Sequence, residues 1–301
     1  MLMPQFSSLC FAMESEPLPK DATHKGEPRA PQPVGDVAVS RTGRSLRGRF
    51  GETMATAHRR VRRPRFHRPE PVWPRRFDRL LLLGLLCIAG LSMFDAAAIQ
   101  FVRGGDTLLL SAMRAITDIG ESQWYLVPAA LLFLGAAFLD WRAVGFRGRR
   151  RLLLLFGQAG FVFAAVALSG LLANLVKIVV GRARPVLFDE FGPHHFEPFS
   201  VGYAYASFPS GHATTVGAVT ALLVLWFPRY AALWALIGIF LVATRVAATA
   251  HYPSDIAGGF LFGLGFTVLA ARFLARRGVA FRFERGKILP IVVGRPIARR
   301  R

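Results

Sequence analysis

The chain has 301 residues, 53% of them hydrophobic, and a formal charge of +20. Its mean hydropathy is +0.38, and the apolar excess falls in blocks, which excludes an ordinary soluble domain. The charge does not point to nucleic acid: the arginines flank the apolar blocks and come without stacking aromatics or a base-reading motif.

Residues 1–78 are rich in Pro, Arg and Gly and lack sustained periodicity. They are expected to form a basic, largely disordered cytoplasmic segment, with RRVRRPRFHRPEPVWPRRFDR (59–79) lying near anionic headgroups. The opening MLMPQFSSLCFAMESE lacks the basic start and apolar core of a cleaved signal peptide, and Met54 offers a second candidate start. Cys10 and Cys87 set no disulfide framework.

Residues 79–275 are expected to form an all-α membrane bundle of six transmembrane helices, at 80–101, 122–141, 152–176, roughly 211–227, 231–249 and 256–275. Most reach the ~20 residues that cross ~30 Å of hydrocarbon. Trp124, Tyr125, Trp141, Trp226 and Tyr230 stand near span ends, as an interfacial belt requires. The loop RAVGFRGRRR (142–151) carries Arg142, Arg147, Arg149, Arg150 and Arg151 without an acid, and the stretch from Arg272 onward holds ten basic residues against Glu284 alone. Between the third and fourth spans, Lys177, Arg182 and Arg184 are balanced by Asp189, Glu190 and Glu197. Both termini, including the basic tail 276–301, are therefore expected in the cytoplasm. With that parity the polar residues at four span ends fall on the outer side, the periplasmic face of an inner membrane in a bacterium.

At the end of the third span, NLVKIVVGRARP (174–185) places Lys177 and Arg184 seven residues apart, about two helical turns, so both are expected on one face. Taken alone, the pair also fits two cations snorkelling to headgroups. Arg182 is out of phase and reads as solvated. FPSGHATT (208–215) is a turn that opens a helix, with free N–H groups, the Ser210 hydroxyl and the Gly211 N–H forming an anion site and His212 in the first turn. In RVAATAHYPSD (245–255), Arg245 lies about a turn and a half inside the fifth span, where a cation costs at least ~2.5 kcal/mol unless it faces a polar cavity or a partner. His251 stands at the outer end, and Asp255 follows across a Pro-Ser turn; alone, that pair fits a helix cap as well as an imidazole oriented by a carboxylate.

Lys177-x6-Arg184-Pro185, Pro209-Ser210-Gly211-His212 and Arg245-x5-His251-x3-Asp255, in this order, resemble the phosphatidic-acid phosphatase type 2 superfamily over roughly residues 80–275. One departure is Thr244, where the family usually has Ser. The resemblance implies a lipid phosphatase acting on a phosphomonoester or pyrophosphate at the outer face. It implies His251 as nucleophile, Asp255 orienting it and His212 as general acid and then base. Lys177, Arg184, Arg245, Ser210 and Gly211 would hold the phosphate. Neither metal nor cofactor is implied, since the cations supply the positive charge. Phosphatidate, phosphatidylglycerophosphate, undecaprenyl pyrophosphate and lipid A are the substrate classes it offers. Other readings are a lipid phosphotransferase using the same site, a vanadium haloperoxidase (disfavoured by the spans), and a transporter or lipid-binding protein with a degenerate site. Weaker candidates are His194 and His195, Asn174, Asp95 and Gln100, and a surface helix in 102–121 that admits lipid.

Overall fold

The computed structural model describes residues 45–62, 70–105, 107–141, 143–284 and 287–293. Residues 1–44 and 63–69 of the expected disordered segment, Arg142 of the basic loop and residues 294–301 of the tail lie outside the described residues.

The described residues are mostly helical. The elements that frame the bundle are α2 (Arg76–Ser92), α3 (Asp95–Gly104), α4 (Leu108–Ala115), α5 (Gln123–Phe138), α6 (Phe146–Val180), α7 (Phe188–Phe191), α8 (Gly211–Trp226), α9 (Ala231–Ala247) and α10 (Pro253–Arg276), after an N-terminal α1 (Leu46–Arg62). Among the described residues, α6, α10 and α9 with the turn before it (Pro228–Ala247) are long and apolar enough to cross a membrane. The expected span 80–101 is broken: α2 and α3 meet at a 51° bend and qualify only as a pair. The break frees Asp95, at the head of α3, to turn its carboxylate into the bundle, where it is fully buried. Helices α5 and α8 have 16 residues each, about 24 Å at 1.5 Å per residue, short of the ~30 Å core.

The outer surface is apolar in the manner of a lipid-facing one. Six leucines of α2 (Leu80, Leu81, Leu82, Leu83, Leu85 and Leu86) are each more than half exposed, a patch that water would strongly disfavour. The interior is built instead from small residues. Ten residues of α8 are buried, mostly Ala, Thr, Gly and Val, and α10 crosses it at van der Waals contact. A methyl group on Gly263 would stand 2.0 Å from Thr214 O, and one on Gly259 2.3 Å from Ser210 O. In lipid, where apolar surfaces gain little by meeting each other, such close backbone approach is what holds helices together. Either glycine replaced by a larger residue would push α10 off the start of α8.

Two segments are more ordered than their composition implies. Within 1–78, α1 forms because Phe50, Met54 and Ala57 recur at helical spacing and pack against Ala136, Ala137 and Phe156 of α5 and α6. Within the expected tail, β1 (Phe281–Arg282) pairs antiparallel with β2 (Ile291–Val292). Phe281, fully buried, packs edge-on to Phe161 of α6 at 4.6 Å between centroids. Beside it Arg272 of α10, 2% exposed, donates to the carbonyls of Pro71, Val72 and Ile288 and so ties both flanking segments to the bundle.

Candidate active site

Four chain segments meet at the other end of the bundle: the end of α6, the start of α8, the end of α9 and the start of α10. Lys177 is in the last turn of α6. A methyl group built on Gly211 would stand 3.4 Å from Lys177 Nζ, so the amine lies against the first turn of α8. Arg184, Arg245 and Asp255 are within electrostatic reach of the same amine. Ser210 caps α8, its Oγ accepting from Ala213 N–H at 3.4 Å while its own N–H donates to Asp255 O at 3.1 Å. The helix entry and the α9–α10 connection are thereby fastened together. His212, half-buried, is close enough to feel Arg245, His251 and Lys177. All eight residues expected from the sequence gather at this end of the bundle.

The route to convergence differs from the expected one. Lys177 and Arg184 do not share a helix face, because α6 stops at Val180 and Gly181 turns left-handed at φ +60°. A side chain on Gly181 would also overlap Glu197 O, at 1.7 Å, so only glycine fits this turn. The following loop is clamped on both sides: Ala183 N–H donates to His195 O, Arg184 N–H to Ala204 O and Ser207 N–H to Arg182 O. Arg184 is thus delivered by a pinned loop. Its Nη1 donates to Tyr203 Oη at 3.3 Å and Ala250 O at 3.4 Å, with the Tyr203 ring 4.1 Å away.

Arg182 corrects the reading of it as solvated. It is 3% exposed and its guanidinium donates to Asp95 Oδ2 (2.7 Å) and Asp255 Oδ1 (2.6 Å). Counting helical phase straight through Gly181 put it on the wrong side. The surface helix expected in 102–121 is also more deeply engaged: beyond α4, Thr117 Oγ1 accepts from Arg245 Nη1 at 3.0 Å. Among the weaker candidates, Asp95 is buried in the network, whereas Gln100, Asn174 and His194 are exposed. His195 stacks on Phe191 of α7 at 4.3 Å. The acid inside an apolar run was the signal for Asp95; for Thr117, Ser207 and Ser254 the sequence carries none.

The carboxylate of Asp255, 0% exposed, does two jobs at once. Oδ2 accepts from Tyr252 N–H (3.0 Å), which caps α10, and from Ser207 Oγ (2.6 Å). The same oxygen lies 3.7 Å from His251 Nδ1, just beyond hydrogen-bond reach, a looseness common in sites without substrate. His251, in the α9–α10 connection, is 2% exposed. Burial holds its imidazole down to about 4, against the opposing pull of Asp255. It is therefore neutral near pH 7, with a lone pair available on one nitrogen.

Four buried nitrogens of this cluster, Arg184 Nε, Arg245 Nε, His212 Nε2 and His251 Nδ1, have no hydrogen-bond partner among the described residues. Buried polar nitrogens left unpaired are costly, and several together, with two guanidinium groups among them and the positive end of a helix beside them, form a receptor for an anion with several oxygens. The set offers too many cationic donors for a metal and suits a phosphoryl group.

A bundle of apolar helices with a cationic, imidazole-bearing pocket at one end is the class of a membrane phosphatase. Residues 158–278 match the family model of the PAP2 superfamily. The lipid A 1-phosphatase of Rhizobium etli is 38% identical over 211 residues, 69% of this chain and 90% of that protein. That of Rhizobium johnstonii is 42% identical over 168 residues, 56% of this chain and 68% of the relative. An undecaprenyl-diphosphatase of Sulfolobus acidocaldarius is 29% identical over 127 residues, covering 40% of this chain and 59% of its own length. The chain belongs to the PAP2 superfamily.

Proposed function

We propose that the chain removes a phosphate from a lipid A-type glycolipid at the periplasmic face of a bacterial inner membrane, through a phosphohistidine intermediate. The observation that carries this reading is the group of unpartnered buried donors, Arg184 Nε, Arg245 Nε and His212 Nε2, beside a neutral His251. The lipid A class is supported by the two rhizobial relatives. The membrane arrangement belonging to this reading has six spans, both termini cytoplasmic and the pocket outside, supported by the arginines at the start of α6.

In the proposed reaction the Nε2 lone pair of His251 attacks phosphorus, while Nδ1–H turns toward Asp255 Oδ2. The bond from phosphorus to the sugar oxygen breaks, and His212, which takes up a proton once the phosphate anion is bound beside it, gives that proton to the oxygen. A water then enters; His212 takes its proton, the water oxygen attacks phosphorus, and the phosphorus–nitrogen bond breaks to release inorganic phosphate and neutral His251. Lys177, Arg184, Arg245 and the first N–H groups of α8 hold the equatorial oxygens, where charge spreads in the transition state. Asp255 stabilises the imidazolium character that develops as His251 reacts.

The test is phosphate release by detergent-purified protein offered lipid A, undecaprenyl diphosphate, phosphatidylglycerophosphate and phosphatidate. Turnover is expected to be fastest on lipid A. Preference for another class would overturn the substrate, and label appearing on an acceptor lipid in place of free phosphate would overturn hydrolysis.

A further inference from the structure

Asp95 and Arg182 take no part in those steps, yet they are among the most completely paired charges in the molecule. Asp95 Oδ1 accepts from Ser254 N–H (3.0 Å), and its Oδ2 accepts from Ser254 Oγ (2.5 Å) and Arg182 Nη2 (2.7 Å). Arg182 Nη1 donates to Asp255 Oδ1 (2.6 Å) and Ser254 Oγ (2.7 Å); Nε and Nη2 donate to Pro193 O. The Tyr252 ring lies 4.6 Å from the guanidinium carbon. One side chain thus joins the head of α3, the loop after α6 and the head of α10.

We infer that Arg182, held by Asp95, is a positioning residue for the reaction: it fixes the rotation and preserves the charge of Asp255, the carboxylate beside the nucleophile. Two physical points carry this. First, Tyr252 N–H and Ser207 Oγ hold Oδ2, and the Arg182 fork holds Oδ1 at 2.6 Å, so Arg182 completes the clamp and is its one charged member. Oδ2 is left as the oxygen nearest His251 Nδ1. Second, an arginine buried with Asp255 alone would cancel its charge and leave the imidazole facing a neutral pair. With Asp95 as a second acceptor, one cation is shared between two carboxylates, and the cluster keeps one net negative charge beside His251.

The inference rests on the proposed role of His251, and the experiment separates the two. Steady-state phosphate release is measured for Arg182→Gln, Arg182→Lys, Asp95→Asn and the double Asp95→Asn/Arg182→Gln, beside His251→Ala and Asp255→Asn. Arg182→Gln is expected to lower kcat about 10²-fold with KM changed less than about threefold, the signature of a misplaced reacting group with intact binding. Arg182→Lys, which can reach only one carboxylate, regains about tenfold of that loss. Asp95→Asn, nearly isosteric, costs about tenfold, and the double variant is no worse than Arg182→Gln alone, because both act through one link. Wild-type kcat in Asp95→Asn and Arg182→Lys, a loss expressed wholly in KM, or additive effects would overturn the inference. Should Arg182→Gln not fold, Asp95→Asn and Arg182→Lys still decide. Turnover by His251→Ala sinks the site reading itself. An inactive His251→Ala beside fully active Asp95→Asn and Arg182→Lys sinks only the positioning role.

Discussion

Arginines at the two ends of the bundle, Arg272 at one and Arg184 and Arg245 at the other, are held in different ways. At the C-terminal end of α10, Arg272 donates to the carbonyls of Pro71, Val72 and Ile288 and stacks on Phe77 and Phe283. Each of its three nitrogens has a backbone partner, and the residue acts as a staple. At the other end Arg184 and Arg245 each keep a buried Nε without a partner among the described residues, although Tyr203 and Thr117 hold other parts of the same guanidinium groups. Depth of burial alone does not separate a structural cation from a ligand-binding one; what sets Arg184 and Arg245 apart is that their open Nε atoms share one site with His212, Lys177 and the start of α8.

That contrast can be broken by substitution. His251→Ala should show the largest effect, lowering phosphate release by roughly 10⁴-fold or more, since it removes the proposed attacking group. Retained turnover would show that the imidazole is not the attacking group. Asp255→Asn follows, with a loss of about 10³-fold, because an amide cannot carry the negative charge the imidazolium needs. Arg245→Leu should reduce kcat/KM by about 10²-fold or more through lost transition-state charge. Its melting temperature should hold or rise, as an unpaired buried cation is removed; a falling melting temperature would make Arg245 a staple after all. Arg272→Leu should do the reverse, costing roughly 1–3 kcal/mol of stability while the folded fraction keeps its kcat/KM. The smallest effect is expected from chelation: activity in EDTA should equal activity without it, and vanadate should still inhibit by mimicking five-coordinate phosphorus. A requirement for added Mg²⁺ would contradict the proposed cation-only pocket.

The identity of the pocket residues was readable because each lies at the end of an apolar run, where charge needs a reason. How they converge was not. Lys177 and Arg184 do end up together, but through the left-handed turn at Gly181, and the helical count that paired them also misfiled Arg182. Gly181 was the one letter that argued against an unbroken helix, and its meaning depends on Glu197 O lying across the turn, a contact between distant parts of the chain. Asp95 likewise looked like an acid at a span's edge; only its contact with Arg182, 87 residues on, gives it a purpose. The helical packing of Phe50, Met54 and Ala57 was hidden by the Arg-, Pro- and Gly-rich surroundings of α1. In each case local pattern was outweighed by long-range contact.

The length of α6 has a consequence of its own. From Arg151 to Lys177 the helix rises ~39 Å, at 1.5 Å per residue, close to the ~40–45 Å between the two headgroup layers of a bilayer. The helix is in effect a ruler: it sets the Lys177 amine about one bilayer's thickness from the arginines at its start. A single residue inserted between them would lift that amine about 1.5 Å and swing it about 100° away from Gly211, disarming the pocket from a point well outside it.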